Sequence, residues 1–395
     1  MAAIVAGSIG PAIGAIEATA GATVGVEHDS NPLQLGNGQI PLSASGFDVG
    51  IDDTALRTEA NFRVTSAGTA PIQGYLQAQA SHSVYRRLST ANNTQYSTGG
   101  VLTWTPIRFF DVSLQASDSR APVALADIGG EISRLQRIRS AGGKLQVRPT
   151  PRWQLGFRRD WNTTDTPQPG ARNFLLRENN GGIALSYLGA VRLIPGVELV
   201  DAKGTYSGIV NATMYQQRSI NFTVNYKLSD FSTFALVVGR TQRDTQLVRP
   251  TNDPLALANQ GRNSEFTGSL SLQRRLSAKT NVSFRVFHGF QQYDAGINTT
   301  VGSGLGTGVT WAATARLNLT ADGQLVLSTI GAGQLDAAIG DRRDLVRSFS
   351  IGASYLATRR VSLRGYSTRV LRDSTLSSAR YNETITGLQL SATIL

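Results

Sequence analysis

The sequence is short of the residue types that support several common kinds of protein. Its 395 residues include no cysteine, only 3 histidines, and charged residues at just 16%, where about 25% is usual. No stretch approaches the roughly 18 consecutive apolar residues that a membrane-spanning helix requires. These shortages exclude a disulfide scaffold, an acidic disordered tail, a coiled coil and a helical membrane protein. The absence of cysteine also suits passage through an oxidising periplasm.

Polar and apolar residues alternate with a period of two along most of the chain. In 220–228 every even position is apolar and every odd position is polar, as in a strand with one apolar and one polar face. The same alternation appears in 266–276, 309–319, 110–115 and 282–286. No segment sustains a helical period.

The alternation predicts about eighteen strands separated by turns and loops. The predicted strands are 21–29, 47–65, 71–86, 95–105, 108–118, 134–148, 152–161, 174–188, 196–206, 217–228, 231–243, 263–276, 280–293, 304–319, 322–331, 344–357, 360–371 and 381–395. Tight turns are predicted at 106–107, 150–151, 229–230, 277–279, 320–321 and 358–359. Longer loops are predicted at 30–46, 119–133, 162–173, 244–262, 294–303, 332–343 and 372–380.

Short and long connectors therefore alternate, as they do in outer-membrane barrels. We predict an all-β fold, a transmembrane antiparallel up-and-down β-barrel of about eighteen strands with both termini periplasmic, in the bacterial outer membrane. The apolar faces mix small and large residues freely, as contact with lipid permits. Aromatic residues near the short turns would form an interfacial girdle: Trp104, Phe109, Phe110, Trp153, Tyr226 and Phe231. A soluble β-solenoid or fibre-like repeat is the alternative fold.

The N-terminus has the features of an export signal. Residues 1–16 carry no charge, and Ala18, Thr19 and Ala20 fit a small-x-small cleavage pattern. The stretch lacks a basic start and contains Pro11. We therefore assign residues 1–20 either to a signal peptide cleaved after Ala20 or to a flexible extension, and 21–395 to the barrel.

Several short strings resemble one family of barrels. The segment 24–33 (VGVEHDSNPL) resembles the motif that opens the β-barrel porins of exopolysaccharide operons, the EpsL type. Further similarity lies in 267–280, 310–317 and 348–355. The resemblance implies export of an exopolysaccharide, delivered to the pore by periplasmic or inner-membrane export proteins.

In such a barrel, the side chains on the polar face of each strand point into the lumen. On these polar faces, basic residues outnumber the carboxylates Glu27, Asp29, Asp111 and Asp160. The lumen is therefore predicted to be net basic and to concentrate anions. The predicted lumenal cations are Arg63, Lys144, Arg148, Arg158, Lys227, Arg275, Arg285, Arg316 and Arg364. The alternative is that some lie at strand ends, where arginines meet lipid phosphates; Arg159, Arg240 and Arg274, on the apolar parity, fit that description.

Four aromatic residues share the polar parity. Tyr75, Tyr85, Phe287 and Tyr366 could stack against sugar rings, since an aromatic face packs on the apolar face of a pyranose. They could equally fill the lumen or support a loop.

Catalytic and nucleic-acid interpretations find little support. His28, His82 and His288 are far apart and lack metal-ligand partners at useful spacing. Lysine and arginine are spread over the chain without a clustered patch, so no nucleic-acid partner is expected. We predict a channel without enzymatic activity, cofactor or metal, in contact with outer-membrane lipid and lipopolysaccharide. Polysaccharide export is the first hypothesis, a general or anion-preferring porin the second, and an outer-membrane enzyme acting on lipid or glycan the third.

Overall fold

A computed structural model shows a single closed antiparallel barrel. It describes residues 15–35, 52–67, 70–123, 134–166, 174–207, 213–248, 261–291, 300–330 and 342–394. The strands are β1 Ala15–Asp29, β2 Asp53–Ala67, β3 Ile72–Tyr85, β4 Asn93–Ile107, β5 Phe110–Val123, β6 Arg134–Thr150, β7 Trp153–Thr166, β8 Phe174–Tyr187, β9 Leu193–Ser207, β10 Thr213–Ser229, β11 Ser232–Leu247, β12 Gly261–Arg275, β13 Thr280–Gln291, β14 Thr300–Ala312, β15 Leu317–Ile330, β16 Arg342–Leu356, β17 Val361–Ser374 and β18 Tyr381–Thr393. The predicted barrel and its count of 18 strands are confirmed.

The barrel closes between its first and last strands. Each strand pairs with its sequence neighbours, and β1 also pairs antiparallel with β18, from Gly21 opposite Thr393 to Asp29 opposite Ile385. Closure gives every strand a partner on both sides. No strand edge with unpaired backbone N–H and C=O groups is therefore exposed to lipid.

The alternation places apolar residues outside and polar residues inside. On β10, Ile220 and Phe222 are 62% and 48% exposed on the outer face, whereas Ser219 on the other face is 8% exposed. Outward leucine, valine and isoleucine side chains recur at similar exposure on nearly every strand. An apolar outer belt around a polar interior is the arrangement that a bilayer requires.

The connectors divide the barrel into two ends. The short-turn end carries the turns β2–β3, β4–β5 and so on to β16–β17, while the long-loop end carries the remaining connectors. β1 begins and β18 ends at the short-turn end. That this end faces the periplasm stays a prediction. Most of the residues of the predicted long loops lie outside the described residues.

The predicted turn at 320–321 is wrong, and the one predicted at 106–107 lies two residues further on, at 108–109. The alternation in 309–319 indicates a continuous strand with a turn at 320–321, but the chain turns at 313–316, and β15 runs from Leu317 to Ile330. The error arises because residues 313–316 (ATAR) continue the alternation of polar and apolar residues through the turn. In that turn, Thr314 Oγ1 accepts hydrogen bonds from the backbone N–H groups of Arg316 and Leu317. A side-chain oxygen that closes a turn in this way leaves the two-residue pattern intact.

Aromatic side chains border the short-turn end of the outer face. Trp104 and Trp153 are 45% and 44% exposed there. Phe231, predicted to belong to this girdle, instead lies against the inward Arg275, whose guanidinium is 4.5 Å from its ring centre. Trp104 packs edge-on against Phe110, and Trp153 against Tyr187, with ring centroids 6.5 and 5.0 Å apart. Amphipathic rings in this position are typical of a membrane interface.

Residues 15–20, within the predicted export signal, belong to β1 and pair with β2 from Ala15 opposite Ala67 to Ala20 opposite Phe62. Residues 1–14 lie outside the described residues. The helices of the described residues are the single 3₁₀ turns Ser89–Ala91 and Ser377–Ala379, and neither is long and apolar enough to cross a membrane.

A small apolar cluster forms at the long-loop end next to β3. Leu33 and Leu35, after β1, pack with Leu88 and Ala91 of the β3–β4 connector. The Asn31 side chain bonds both the N–H and the carbonyl of Leu35, at 3.0 Å each, and so folds residues 31–35 into a compact loop. This part of the rim is consequently a packed structure.

Candidate functional site: the barrel lumen

The predicted lumenal cations occupy one half of the barrel. Eight of the nine point inward, on the face opposite to the exposed apolar side chains of their strands. All eight lie in the half of the barrel nearest the short-turn end. Arg316 does not line the lumen from a strand, because it lies in the turn between β14 and β15. Strand pairing thus collects residues far apart in sequence around one mouth.

Three of the inward cations have carboxylate partners. Arg148 contacts Asp111 at 2.8 Å and Arg158 contacts Glu198 at 3.3 Å. Lys227 donates to Asp230 at 2.8 Å, and this hydrogen bond holds the pKa of Asp230, in the turn after β10, below its usual value. Within the described residues, the other five make no ion pair: Arg63, Lys144, Arg275, Arg285 and Arg364.

The inward aromatic residues are mostly covered by these arginines. Arg63 lies 4.8 Å from the ring centre of Tyr75, Arg285 lies 5.6 Å from Phe287, and Arg364 lies 5.4 Å from Tyr366. Stacked guanidinium groups are favourable partners of aromatic faces. Faces occupied in this way are less open to a sugar ring.

Tyr366 is engaged through its hydroxyl as well, and Tyr85, the fourth predicted stacking residue, is engaged by packing. The Tyr366 hydroxyl donates a hydrogen bond to Glu27, and Tyr85 packs against the apolar cluster at the long-loop end. Sugar stacking by the four residues stays a prediction, and these contacts weigh against it.

The half of the lumen nearest the long-loop end has the opposite charge. Of its members, only Glu27 and Asp29 are predicted from the sequence to be lumenal; Arg342 and Arg372 lie just outside the predicted strands 344–357 and 360–371. Its inward cations are Arg57, Arg243, Arg342 and Arg372. Its inward carboxylates are Glu27, Asp29, Asp53, Glu59, Glu178, Asp344 and Glu383. This half is therefore net acidic. The short-turn half carries eight inward cations against Glu17, Asp111, Glu198 and Asp322, with Asp160 near the middle, so a net-basic lumen stays a prediction for the short-turn half alone.

Several inward side chains at the long-loop end form buried networks. The Tyr215 hydroxyl donates to Glu178 at 2.6 Å, and the Arg243 guanidinium lies 3.8 Å from the Tyr215 ring centre while donating to the Tyr206 hydroxyl at 3.1 Å. Leu176 completes this cluster. The Tyr215 and Tyr206 hydroxyls thus both have hydrogen-bond partners within the cluster, as burial requires.

A second buried network joins β16 and β17. Asp344, 2% exposed, accepts from Arg342 at 2.9 Å, from Arg372 at 2.6 Å and from Ser374 at 2.6 Å. One carboxylate thus links two guanidinium groups and a hydroxyl. A shared, fully bonded carboxylate of this kind fixes neighbouring strands in register.

We expect Gly204→Ala to loosen the first network. A Cβ at Gly204 would collide with the Tyr215 ring, so the ring must move and its bond to Glu178 is lost, at a cost of roughly 1–3 kcal/mol in unfolding free energy. Urea unfolding in lipid vesicles measures the change. Gly306→Ala is the matched control, because its Cβ would meet nothing closer than 4.0 Å. Equal stability of the two variants would contradict the expectation.

Hydroxyl and amide groups line the wall between β12 and β17. A cavity of about 500 Å³ opens there, among Ser271, Ser283, Gln324, Ser348 and Thr368. Arg285 and Asp322 are its charged members. Such a wall offers hydrogen bonds to a hydroxylated or hydrated solute without holding it strongly.

The histidines lie apart on the barrel. The Nδ1 atoms of His28, His82 and His288 pair with Thr54, Thr94 and Ser303 on the adjacent strands, at 3.3, 2.8 and 2.7 Å. Among the described residues, no three histidine, aspartate or glutamate side chains are grouped as a metal site would need.

These features define the class of the protein: a bacterial outer-membrane β-barrel, with a closed 18-stranded sheet, an apolar outer belt and a polar interior. No protein-family model matches the sequence, and no curated protein matches it. The resemblance to EpsL-type porins accordingly stays a prediction.

Solved structures with a similar fold include outer-membrane receptors and an outer membrane protein. The siderophore receptor PirA of Pseudomonas aeruginosa is 12% identical, with a TM-score of 0.44, over 95% of this chain and 80% of its own. The import receptor Fiu of Escherichia coli K12 is 9% identical, with a TM-score of 0.49, over 97% of this chain and 82% of its own. The outer membrane protein opdK of P. aeruginosa is 12% identical, with a TM-score of 0.43, over 96% of this chain and 98% of its own. At these identities and TM-scores no function can be transferred, and the class rests on the geometry of this chain.

Proposed function

We propose that the protein is an outer-membrane channel whose short-turn mouth captures anionic solutes. The observation that supports this function is the charge of that mouth. Five inward cations there make no ion pair within the described residues, and they face the barrel interior, which low-dielectric walls enclose. Such a setting focuses the potential and raises the local concentration of anions.

The described short turns strengthen this charge. They carry seven cations and one carboxylate, Asp230. The cations are Arg108, Arg152, Arg192, Lys279, Arg316, Arg359 and Arg360. An approaching anion therefore meets a positive rim before it meets the lumenal arginines.

The acidic half beyond the mouth has a complementary role. Conduction requires binding that is strong enough for entry and weak enough for release. Carboxylates such as Glu59 and Glu27, further along the lumen, lower the hold on an anion that has passed the arginines. Capture at one end and release at the other then follow from the fixed charges alone, and any net direction must come from the concentration difference or from partner proteins.

Export of an exopolysaccharide is the second candidate, and the hydroxyl and amide wall of β12–β17 is the observation that favours it. A polymer bearing carboxylate groups would combine both features, with its charges at the arginines and its hydroxyls along this wall. The covered aromatic faces argue against a neutral sugar polymer that relies on stacking. An enzyme acting on lipid or glycan, the third hypothesis, gains no support from the described residues.

Single-channel recording in planar bilayers tests both candidates. We expect open channels that an acidic polysaccharide such as alginate blocks from the short-turn side, with the neutral polymer dextran of similar length as the control. Block by alginate at concentrations roughly tenfold below those of dextran would support an anionic cargo. Equal block by the two polymers would contradict charge-based capture, and a barrel without conductance would remove the channel.

A further inference from the structure

The outer face of the barrel carries a long apolar groove on β3–β5. The groove has a volume of about 700 Å³, and its floor and sides include Leu76, Leu102 and Leu114, which are 58%, 48% and 53% exposed. Ile16 and Val64 of β1 and β2 extend it towards the short-turn end. A groove on this face is open to lipid acyl chains.

Two glycines create the groove by bringing backbones close together. A Cβ at Gly74 would collide with the carbonyl oxygen of Val101, and a Cβ at Gly100 would lie 2.7 Å from the carbonyl oxygen of Tyr75. No larger residue fits at either position without moving a strand. The depression between the leucines is thus part of how β3 and β4 pair.

The groove ends at a cluster of charged residues towards the long-loop end. Asp118, which lines the last part of the groove, makes an ion pair with Arg137 of β6. Asp118 is directly opposite Arg139, and Arg120 is directly opposite Arg137. Within the described residues Arg120 and Arg139 make no ion pair, and both are exposed on the outer face.

The cluster continues around the barrel in the direction of β9. Arg139, Thr163 and Arg177 stand opposite one another on β6, β7 and β8, so the two arginines are about 10 Å apart. Lys203 of β9 lies in the next row, where Asn179 of β8 stands between it and the exposed Trp161 of β7. Five outward cations therefore lie near three outward carboxylates, Asp118, Asp165 and Asp201. Asp201 is held by Arg218 of β10.

We propose that this surface binds one lipid of the outer leaflet whose head group carries more than one phosphate, with an acyl chain in the groove. Arginine forks suit phosphate oxygens, and cations spaced over about 10 Å can contact two phosphates at once. Continuity between the apolar groove and the cluster matches the layout of a lipid. The site places the long-loop end in the outer leaflet and hence the short turns in the periplasm.

Native mass spectrometry of the detergent-purified barrel tests the site with added lipid A. We expect the double variant R137Q/R139Q to bind lipid A roughly tenfold more weakly, and Ala116→Phe, which fills the groove, to weaken binding similarly. R137K/R139K keeps the charge and should retain most of the affinity. The control variants are R347Q/R369Q and Ala353→Phe, exposed positions on the outer faces of β16 and β17 that lie outside the groove.

The lipid head group and its source are distinguished in the same experiment. The wild-type barrel should bind lipid A that lacks both phosphates as weakly as the R137Q/R139Q variant binds intact lipid A. Inorganic phosphate at millimolar concentration should not compete with lipid A for the site. Equal losses in the control variants, equal affinity for phosphatidylglycerol, or competition by inorganic phosphate would each overturn the proposal. Because the readout is lipid binding, failure here leaves the channel function to be judged by its own recordings.

Discussion

Reversing three charges at the short-turn mouth is expected to reverse ion selectivity. The triple variant R63E/R285E/R364E replaces three inward arginines that are exposed and make no ion pair within the described residues. We expect the wild-type barrel to prefer chloride over potassium by about threefold and the variant to prefer potassium. The reversal potential in planar bilayers under a KCl gradient gives the ratio directly.

A graded series separates charge from shape at these positions. R63Q/R285Q/R364Q should give an intermediate ratio, and R63K/R285K/R364K should keep the wild-type preference, although lysine stacks less well on Tyr75, Phe287 and Tyr366. Raising the salt concentration should reduce the differences, because the screening length falls. An unchanged ratio in the glutamate variant would mean that these arginines do not face the conducting path.

Loss of the Asp344 carboxylate is expected to destabilise the barrel strongly. Asp344→Ala removes the acceptor that Arg342, Arg372 and Ser374 share at 2.6–2.9 Å in a buried setting. Breaking a buried ion pair by removing one partner costs roughly 3–5 kcal/mol. Urea unfolding of the folded barrel in lipid vesicles should show a loss of this size.

An exposed ion pair on the same strands serves as the comparison. Asp373 contacts Arg347 at 3.4 Å, with side chains 64% and 53% exposed. Asp373→Ala should cost less than about 1 kcal/mol, because exposed pairs contribute little. If the two variants were equally stable, the buried network could not hold β16 and β17 in register as we infer.

The number of strands and their inward and outward faces follow from the sequence. The two-residue alternation in segments such as 220–228 admits one arrangement in lipid, because a shift by one residue would turn every apolar side chain towards the water. Turn residues between the alternating segments then set the strand count. The exception at 313–316 shows the limit of this reasoning, since Thr314 closes a turn whose composition still alternates.

Only the closed barrel decides which residues meet. Pairing between β1 and β18, and between each strand and the next, fixes the height of every side chain. The basic set thereby gathers at the short-turn mouth, while Arg243 contacts Tyr215 from a neighbouring strand. The same pairing juxtaposes the groove of β3–β5 and the arginines of β6. The sequence alone determines the face on which a residue lies, because that depends on its nearest neighbours in the chain. Its partners depend on the register and the closure, which are properties of the whole sheet.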